Sequence, residues 1–267
     1  MGKNCKVVST FFGAREVRNI ATDCDGTISL LEGMIEKEKS TDAGVHCDTI
    51  LVNHLLEKDN EKPLEFLDSI NGTQLKNGKL ITMNRPWDNG KGYGFKSRDY
   101  AFKKYQDEYE HWFFAEDDLN FFQDNYYKKC IDVLEAGPKV AFVCTLHNAI
   151  AQTDAAIVAA GFDRQHCHGG EGCTHVRFLK EVVEFNDKNR KSSHPDTQGQ
   201  GHYGRNLPYA DSADFGIACH FSEVEFTNIL TKMGYALAVV GEQVHDTDYW
   251  SKYDHQVYGY EQRGKRW

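Results

Sequence analysis

Residues 111–118 read His-Trp-Phe-Phe-Ala-Glu-Asp-Asp. Four successive apolar residues, Trp112 to Ala115, run straight into three carboxylates, Glu116, Asp117 and Asp118. A short apolar run bounded by polar residues is the pattern of a strand covered on both faces. In an open α/β sheet, ligands bind beyond the carboxyl ends of such strands. Oxygen-rich side chains two residues apart suit a hard divalent cation such as Mg²⁺ or Mn²⁺, which in turn binds a diphosphate. The competing structural role is an acidic cap on the following helix, favoured by the helix dipole.

Working outward, the flanking segments alternate between two periods. Residues 5–12, 48–54, 79–84 and 139–145 are apolar runs of strand length. Between them, 28–40, 63–70, 96–109 and 123–136 carry helical spacing; Pro63 opens one helix and Gly137-Pro138 closes another. Strand and helix in alternation predict a mostly parallel, doubly wound central sheet flanked by helices. The second half is less regular. Residues 164–175 are rich in Gly and His and read as a loop, 176–185 as a short helix, and 186–212 as a long polar loop. Ser222 to Met233 reads as an amphipathic helix with a Ser N-cap, stopped at Gly234, and Tyr235 to Val240 as a last strand. A single domain over 1–267 is expected: a donor-binding half over about 1–150, an acceptor half over 151–250, and a basic tail over 251–267.

The bulk properties narrow the classes. The chain has 267 residues, 40% hydrophobic and 27% charged, with 16 Phe and 13 Tyr to build a core. That excludes disordered, collagen-like and coiled-coil chains. A formal net charge of −9 is the wrong sign for a general nucleic-acid binder, so no nucleic-acid partner is expected. No apolar run approaches the ~20 residues that span a bilayer, and no transmembrane segment is expected. The eight Cys form no CxxC pair, and several lie inside apolar runs, which predicts buried reduced thiols and a cytoplasmic protein.

Three stretches carry a resemblance. Asn89-Gly90-Lys91-Gly92 leads to Ser97-Arg98-Asp99; Trp112 leads to Asp118; and Ser222-Glu223-Val224-Glu225 is followed by Lys232-Met233-Gly234-Tyr235. Gly169-Gly170 and the segment from Arg177 to Val182 fit between them. Their order and spacing resemble the GT-A fold glycosyltransferases, closest to the family 2-like enzymes, with Glu116 in place of the first Asp of the DXD motif. The resemblance implies a GT-A (Rossmann-like) fold with an irregular acceptor-side second half. It implies transfer of a sugar from a nucleoside-diphosphate sugar to a glycan or other hydroxyl acceptor, with inversion and with Mn²⁺ or Mg²⁺.

It also implies roles. Phe11, Phe12 and Arg15 would line the base and diphosphate, and Asn53 would stand where the family often has a base-contacting Asp. Arg98 would neutralise the diphosphate, for which a planar guanidinium is suited. Glu116 would hold the ribose with Asp117 nearby, and Asp118 and His245 would ligate the metal. Glu223 would be the catalytic base, taking the acceptor's proton as its oxygen attacks the anomeric carbon. Its rival is Glu225, and both also suit the first turn of a helix.

Other signals compete. Asp23-Cys24-Asp25-Gly26-Thr27 spells the DxDGT signature of the haloacid dehalogenase-like, Mg-dependent phosphatases, in which the first Asp attacks phosphorus. That chemistry needs a buried apolar strand directly before Asp23, and Val17 to Thr22 is short and polar. His166, Cys167, His168, Cys173 and His175 form a zinc-like cluster of irregular spacing. A loop contacting sugar hydroxyls is the competing reading, as is an acceptor-covering role for the aromatic stretch that holds His194, His202, Tyr203 and Tyr209. A sugar-nucleotide binder without catalysis is the third possibility.

Overall fold

The computed structural model describes residues 2–17, 20–87, 93–144, 171–189, 227, 229–231, 233–239 and 245–246. Strand β1 (Asn4–Phe11) is followed by a two-stranded hairpin, β2 (Arg15–Val17) and β3 (Ile20–Thr22). Then come α1 (Cys24–Ser40), β4 (Cys47–His54), α2 (Glu61–Ile70), β5 (Leu80–Arg85) and α3 (Tyr93–Tyr105). The acidic strand is β6 (His111–Glu116), followed by β7 (Asn120–Phe121), α4 (Tyr126–Glu135) and β8 (Val140–Cys144). The rest comprises β9 (Gly172–His175), α5 (Val176–Asn189), β10 (Ala236–Val239) and β11 (His245–Asp246).

Seven strands form the central sheet in the order β10-β8-β9-β6-β1-β4-β5. It is a mixed α/β architecture in which β9 alone runs antiparallel, pairing with β6 on one side and β8 on the other. The remaining pairs are parallel. β1 and β4 are buried along nearly their whole length, as expected of central strands covered on both faces. α3 packs against β1 and β4, and α4 against β8 and β9. Trp112, Phe113, Phe114 and Ala115 are wholly buried, and Phe113 meets Phe121, Tyr126 and Tyr127 edge-on. Aromatic rings at these angles gain quadrupolar attraction beyond the area they bury.

Among the charges admitted to this interior is Lys6. Lys6, on β1, donates to Glu38 of α1 and to Tyr126 Oη of α4, and its ammonium lies 4.8 Å from the Phe121 ring centre. A buried ammonium is tolerable only with such partners. Cys5, Cys47, Cys130, Cys144 and Cys173 are buried free thiols. Burial holds the Cys5 and Cys173 thiols well above their usual range, which keeps them protonated and inert.

The structure amends four expectations. Residues 172–175 are not loop but strand β9, the antiparallel insert. Helix α5 continues to Asn189, four residues into the segment read as a long loop. Helix α3 stops at Tyr105, and Tyr109 reaches the core from the turn beyond it. Asn120–Phe121 leaves the stretch before α4 as strand β7 and pairs with β11. Among the described residues, no helix is long and apolar enough to cross a membrane.

Candidate donor site

Parallel pairing brings four strand ends together. Phe11 lies opposite His54, His54 opposite Arg85, and Ser9 opposite Glu116. The chain leaving β6 therefore runs alongside Thr10 and Phe11. Thr10 Oγ1 donates to Asp117 Oδ2 at 2.6 Å, extending the contact one residue past the paired strands. A turn closes immediately afterwards, with Leu119 N–H on the Glu116 carbonyl at 3.2 Å. The carboxylates therefore differ in their partners. Asp117 is buried against β1, Glu116 is partly exposed and bonded to Arg98, and Asp118 is 8% exposed at the turn.

Helix α3 shapes the space beside Glu116. Arg98 is wholly buried; its Nη2 donates to Glu116 Oε1 at 2.5 Å and its guanidinium lies 5.5 Å from the Phe114 ring centre. Gly94, in the first turn of α3, comes so close that a Cβ there would stand 2.6 Å from Glu116 Oε1. Ser9 Oγ donates to the Gly94 carbonyl at 2.9 Å and fixes that approach. The absent side chain at Gly94 is what lets the helix meet the carboxylate.

On the far side of β1 lie an aromatic cluster and, on the alternate pleat, an amide pair. His54 is flanked by Phe11, 5.6 Å between ring centres, and by Trp87, stacked at 5.4 Å and 19°. Trp87, just past the end of β5, is 36% exposed and offers an open ring face. Asn53 is 1% exposed; its Nδ2 donates to Asn84 Oδ1 at 3.1 Å, while its Oδ1 is buried with no hydrogen-bond partner. An orphaned buried acceptor costs about 1–3 kcal/mol, a cost that a ligand donor would relieve.

Several assignments shift accordingly. Arg98 was expected to face a diphosphate; it is buried and donates to Glu116. Phe12 was expected to line the base; it is 2% exposed and packs edge-on to Phe66, under the site. Asp117 turns inward to Thr10. Phe11 meets the His54 ring, Asn53 lies opposite Thr10 in register, and Glu116 lies opposite Ser9. Arg15 opens the hairpin β2–β3 just after β1, paired with Thr22. His245 lies on β11 opposite Phe121, three residues along the chain from Asp118. Glu223, Glu225, Asn89 to Gly92, Gly169-Gly170 and the aromatic loop over 190–212 lie outside the described residues.

Sequence reasoning missed His54, Asn84 and Trp87. The signal was present in the segments themselves: each is the last or nearly the last residue of a predicted strand, or the first large aromatic beyond it. Parallel register then makes them neighbours of Asn53 and Phe11.

The DxDGT stretch has a local explanation. Asp23 is the N-cap of α1, its carboxylate accepting from Gly26 N–H at 2.9 Å. Asp25 is exposed and paired with Lys62. Thr27 Oγ1 donates to the Phe11 carbonyl at 3.3 Å and ties the helix to the end of β1. The strand before Asp23 is β3, which belongs to the hairpin and not to the central sheet. The phosphatase arrangement is therefore not built here. The zinc-like cluster is also dispersed. Cys173 is buried in β9 and His175 Nδ1 accepts from Arg177 N–H at the start of α5, while His166, Cys167 and His168 lie outside the described residues. Among the described residues, no three His, Cys, Asp or Glu side chains gather to hold a metal.

The chain matches no protein-family description and no curated protein. It is similar to solved structures. CMP:2-keto-3-deoxy-manno-octonic acid synthetase complexed with CTP aligns at 10% identity and a TM-score of 0.48, over 97% of this chain and 100% of that one. A cytidylyltransferase from Leptospira borgpetersenii serovar Hardjo-bovis (strain JB197) aligns at 10% identity and a TM-score of 0.46, over 93% and 79%. The glycosyltransferase GlyE in Streptococcus pneumoniae TIGR4 aligns at 10% identity and a TM-score of 0.46, over 98% of this chain and 50% of that one. At this level of identity no residue role carries across.

Proposed function

We propose that the chain is a nucleotide-dependent transferase and, more narrowly, a metal-dependent glycosyltransferase of GT-A type. It moves a sugar from a nucleoside-diphosphate sugar to a hydroxyl acceptor with inversion. The observation that carries this reading is the convergence of the carboxyl ends of β1, β4, β5 and β6 on one surface. There the Glu116 end of β6 pairs with β1 beside the ring cluster of Phe11, His54 and Trp87, while Asn53 lies in register with Thr10 on the alternate pleat.

The exposed face of Trp87 stacks on the base or on the sugar. Glu116 accepts from the ribose hydroxyls, held in place by Arg98 and by the close approach of Gly94. Asp118 and His245 are suited to the cation: a carboxylate and an imidazole are both ligands that Mn²⁺ accepts, and the β7–β11 pairing keeps the two chain segments together. When bound, Mn²⁺ or Mg²⁺ supplies charge neutralisation to the departing diphosphate. Glu223 takes the proton from the acceptor hydroxyl as its oxygen bonds to the anomeric carbon. The bond from that carbon to the diphosphate oxygen breaks, and its electron pair leaves with the diphosphate.

The test is a thermal-shift screen of nucleoside diphosphates and their sugars, with and without Mn²⁺. A ligand of the folded state raises the melting temperature by mass action. The reading expects at least one nucleoside-diphosphate sugar to do so only when metal is present. A chain stabilised by none of them is not a donor-dependent transferase.

A further inference from the structure

At the opposite end of the sheet, where β6 begins and β9 ends, His111 and His175 pair in register with their rings edge to face, 5.1 Å between centres. A pocket of about 400 Å³ opens beside them, lined by His111, Leu134, Glu135, His175, Arg177 and Phe178 among others. The hydrogen-bond network fixes the proton on His111. Asn4 Nδ2 donates to the His46 carbonyl at 2.9 Å, so its Oδ1 is the atom 3.1 Å from His111 Nδ1, which must donate. The neutral ring then carries its lone pair on Nε2. That atom is screened from water and lies 3.2 Å from Glu135 Oε1. Two acceptors cannot rest in that contact, and a second ring proton turns the contact into an ion pair.

We propose that His111 and Glu135 form a proton-operated latch, in which the side chain of Glu135 closes over His111 when the ring is doubly protonated and swings out into the pocket when it is neutral. Glu135 can move, because its side chain is 62% exposed at the end of α4. The other charged groups facing the ring set the threshold. Glu110, just before β6, favours the proton and is itself 3.4 Å from His175 Nε2. His175 on β9 opposes it, as does burial of the ring, the larger effect. Arg177, at the start of α5, lines the same pocket and stacks on Phe178. Burial and His175 together hold His111 below the usual histidine range, so the latch opens on the acid side of neutrality and is open at neutral pH.

Nuclear magnetic resonance on the full chain tests this. The His111 ring carbons and the Glu135 carboxyl carbon are followed across pH 4.5–8 in the wild type, in Glu135→Gln and in His111→Gln. The expected result is a Glu135 inflection at the His111 midpoint that vanishes in His111→Gln. In Glu135→Gln the His111 midpoint should fall by about half a pH unit, a roughly threefold loss of proton affinity. An unchanged or raised His111 midpoint in Glu135→Gln, or no Glu135 inflection there in the wild type, overturns the proposal. Glu135→Gln is a surface change, so the folded spectrum serves as its own control.

Discussion

Arg98 Nη2 donates to Glu116 Oε1 at 2.5 Å from a side chain with no exposure to solvent. The guanidinium therefore holds a carboxylate at the end of β6. Arg98→Lys keeps the charge and loses the planar fork. It should leave the chain folded and weaken donor binding at least about tenfold, in line with the 1–3 kcal/mol expected of a displaced charged hydrogen bond. Isothermal titration of donor into both proteins, with melting curves as control, checks it.

Gly94→Ala tests the same carboxylate. Alanine is the better helix former, but its Cβ displaces a carboxylate bonded to buried Arg98, so the melting temperature should fall. The new Cβ would stand 2.6 Å from Glu116 Oε1, and Arg98 holds that oxygen in place. The carboxylate must shift, and donor affinity should fall about tenfold; a loss of that size corresponds to about 1.4 kcal/mol. An unchanged affinity would show that Glu116 does not touch the donor.

The order of the elements was legible because the physics behind it is local. Val7-Val8, Ile50-Leu51-Val52 and Trp112 to Ala115 are apolar runs of strand length, and each became a central strand. The acidic end of β6 followed; its place beside β1 is a matter of strand order, which no single segment contains. Strand β9 was hidden because Gly172, Cys173, Thr174 and His175 have no strand alternation; sandwiching between β6 and β8 makes them a strand. The burial of Arg98 was hidden for a similar reason. A charged residue on a helix is buried only when a partner waits in the fold, and Glu116 is 18 residues away along the chain. His54 and Asn84 were readable as strand ends, but their neighbours required the β1–β4–β5 register, which no single segment contains.

For Glu223 the expectation rests on the proposed chemistry alone. Glu223→Gln should lower the turnover number by about 10²–10⁴, the usual contribution of a positioned base. Donor affinity should be unchanged. Steady-state kinetics with donor titration distinguishes this from Glu225→Gln, which should retain most activity. Full turnover in Glu223→Gln would remove that residue from the mechanism.

The pH dependence of stability carries a sign set by His111. Its folded-state affinity for a proton is below the ordinary value near 6.5, because of burial first and His175 second. The unfolded chain therefore binds the proton more readily than the folded one. Stability is lost as pH falls through 6.5 toward the folded value, and the loss is complete below both. His111→Gln should flatten the slope of unfolding free energy between about pH 5 and 7, and Glu135→Gln should steepen it. Urea denaturation at four or five pH values measures both.

The account turns on Asp118 at the end of β6. The most direct measurement is isothermal titration of nucleoside-diphosphate sugars into wild type and Asp118→Asn, each with and without Mn²⁺. The account predicts binding by the wild type that requires the metal and falls at least about a hundredfold, some 2.7 kcal/mol, in Asp118→Asn. Metal-independent binding of equal strength in both proteins would contradict it.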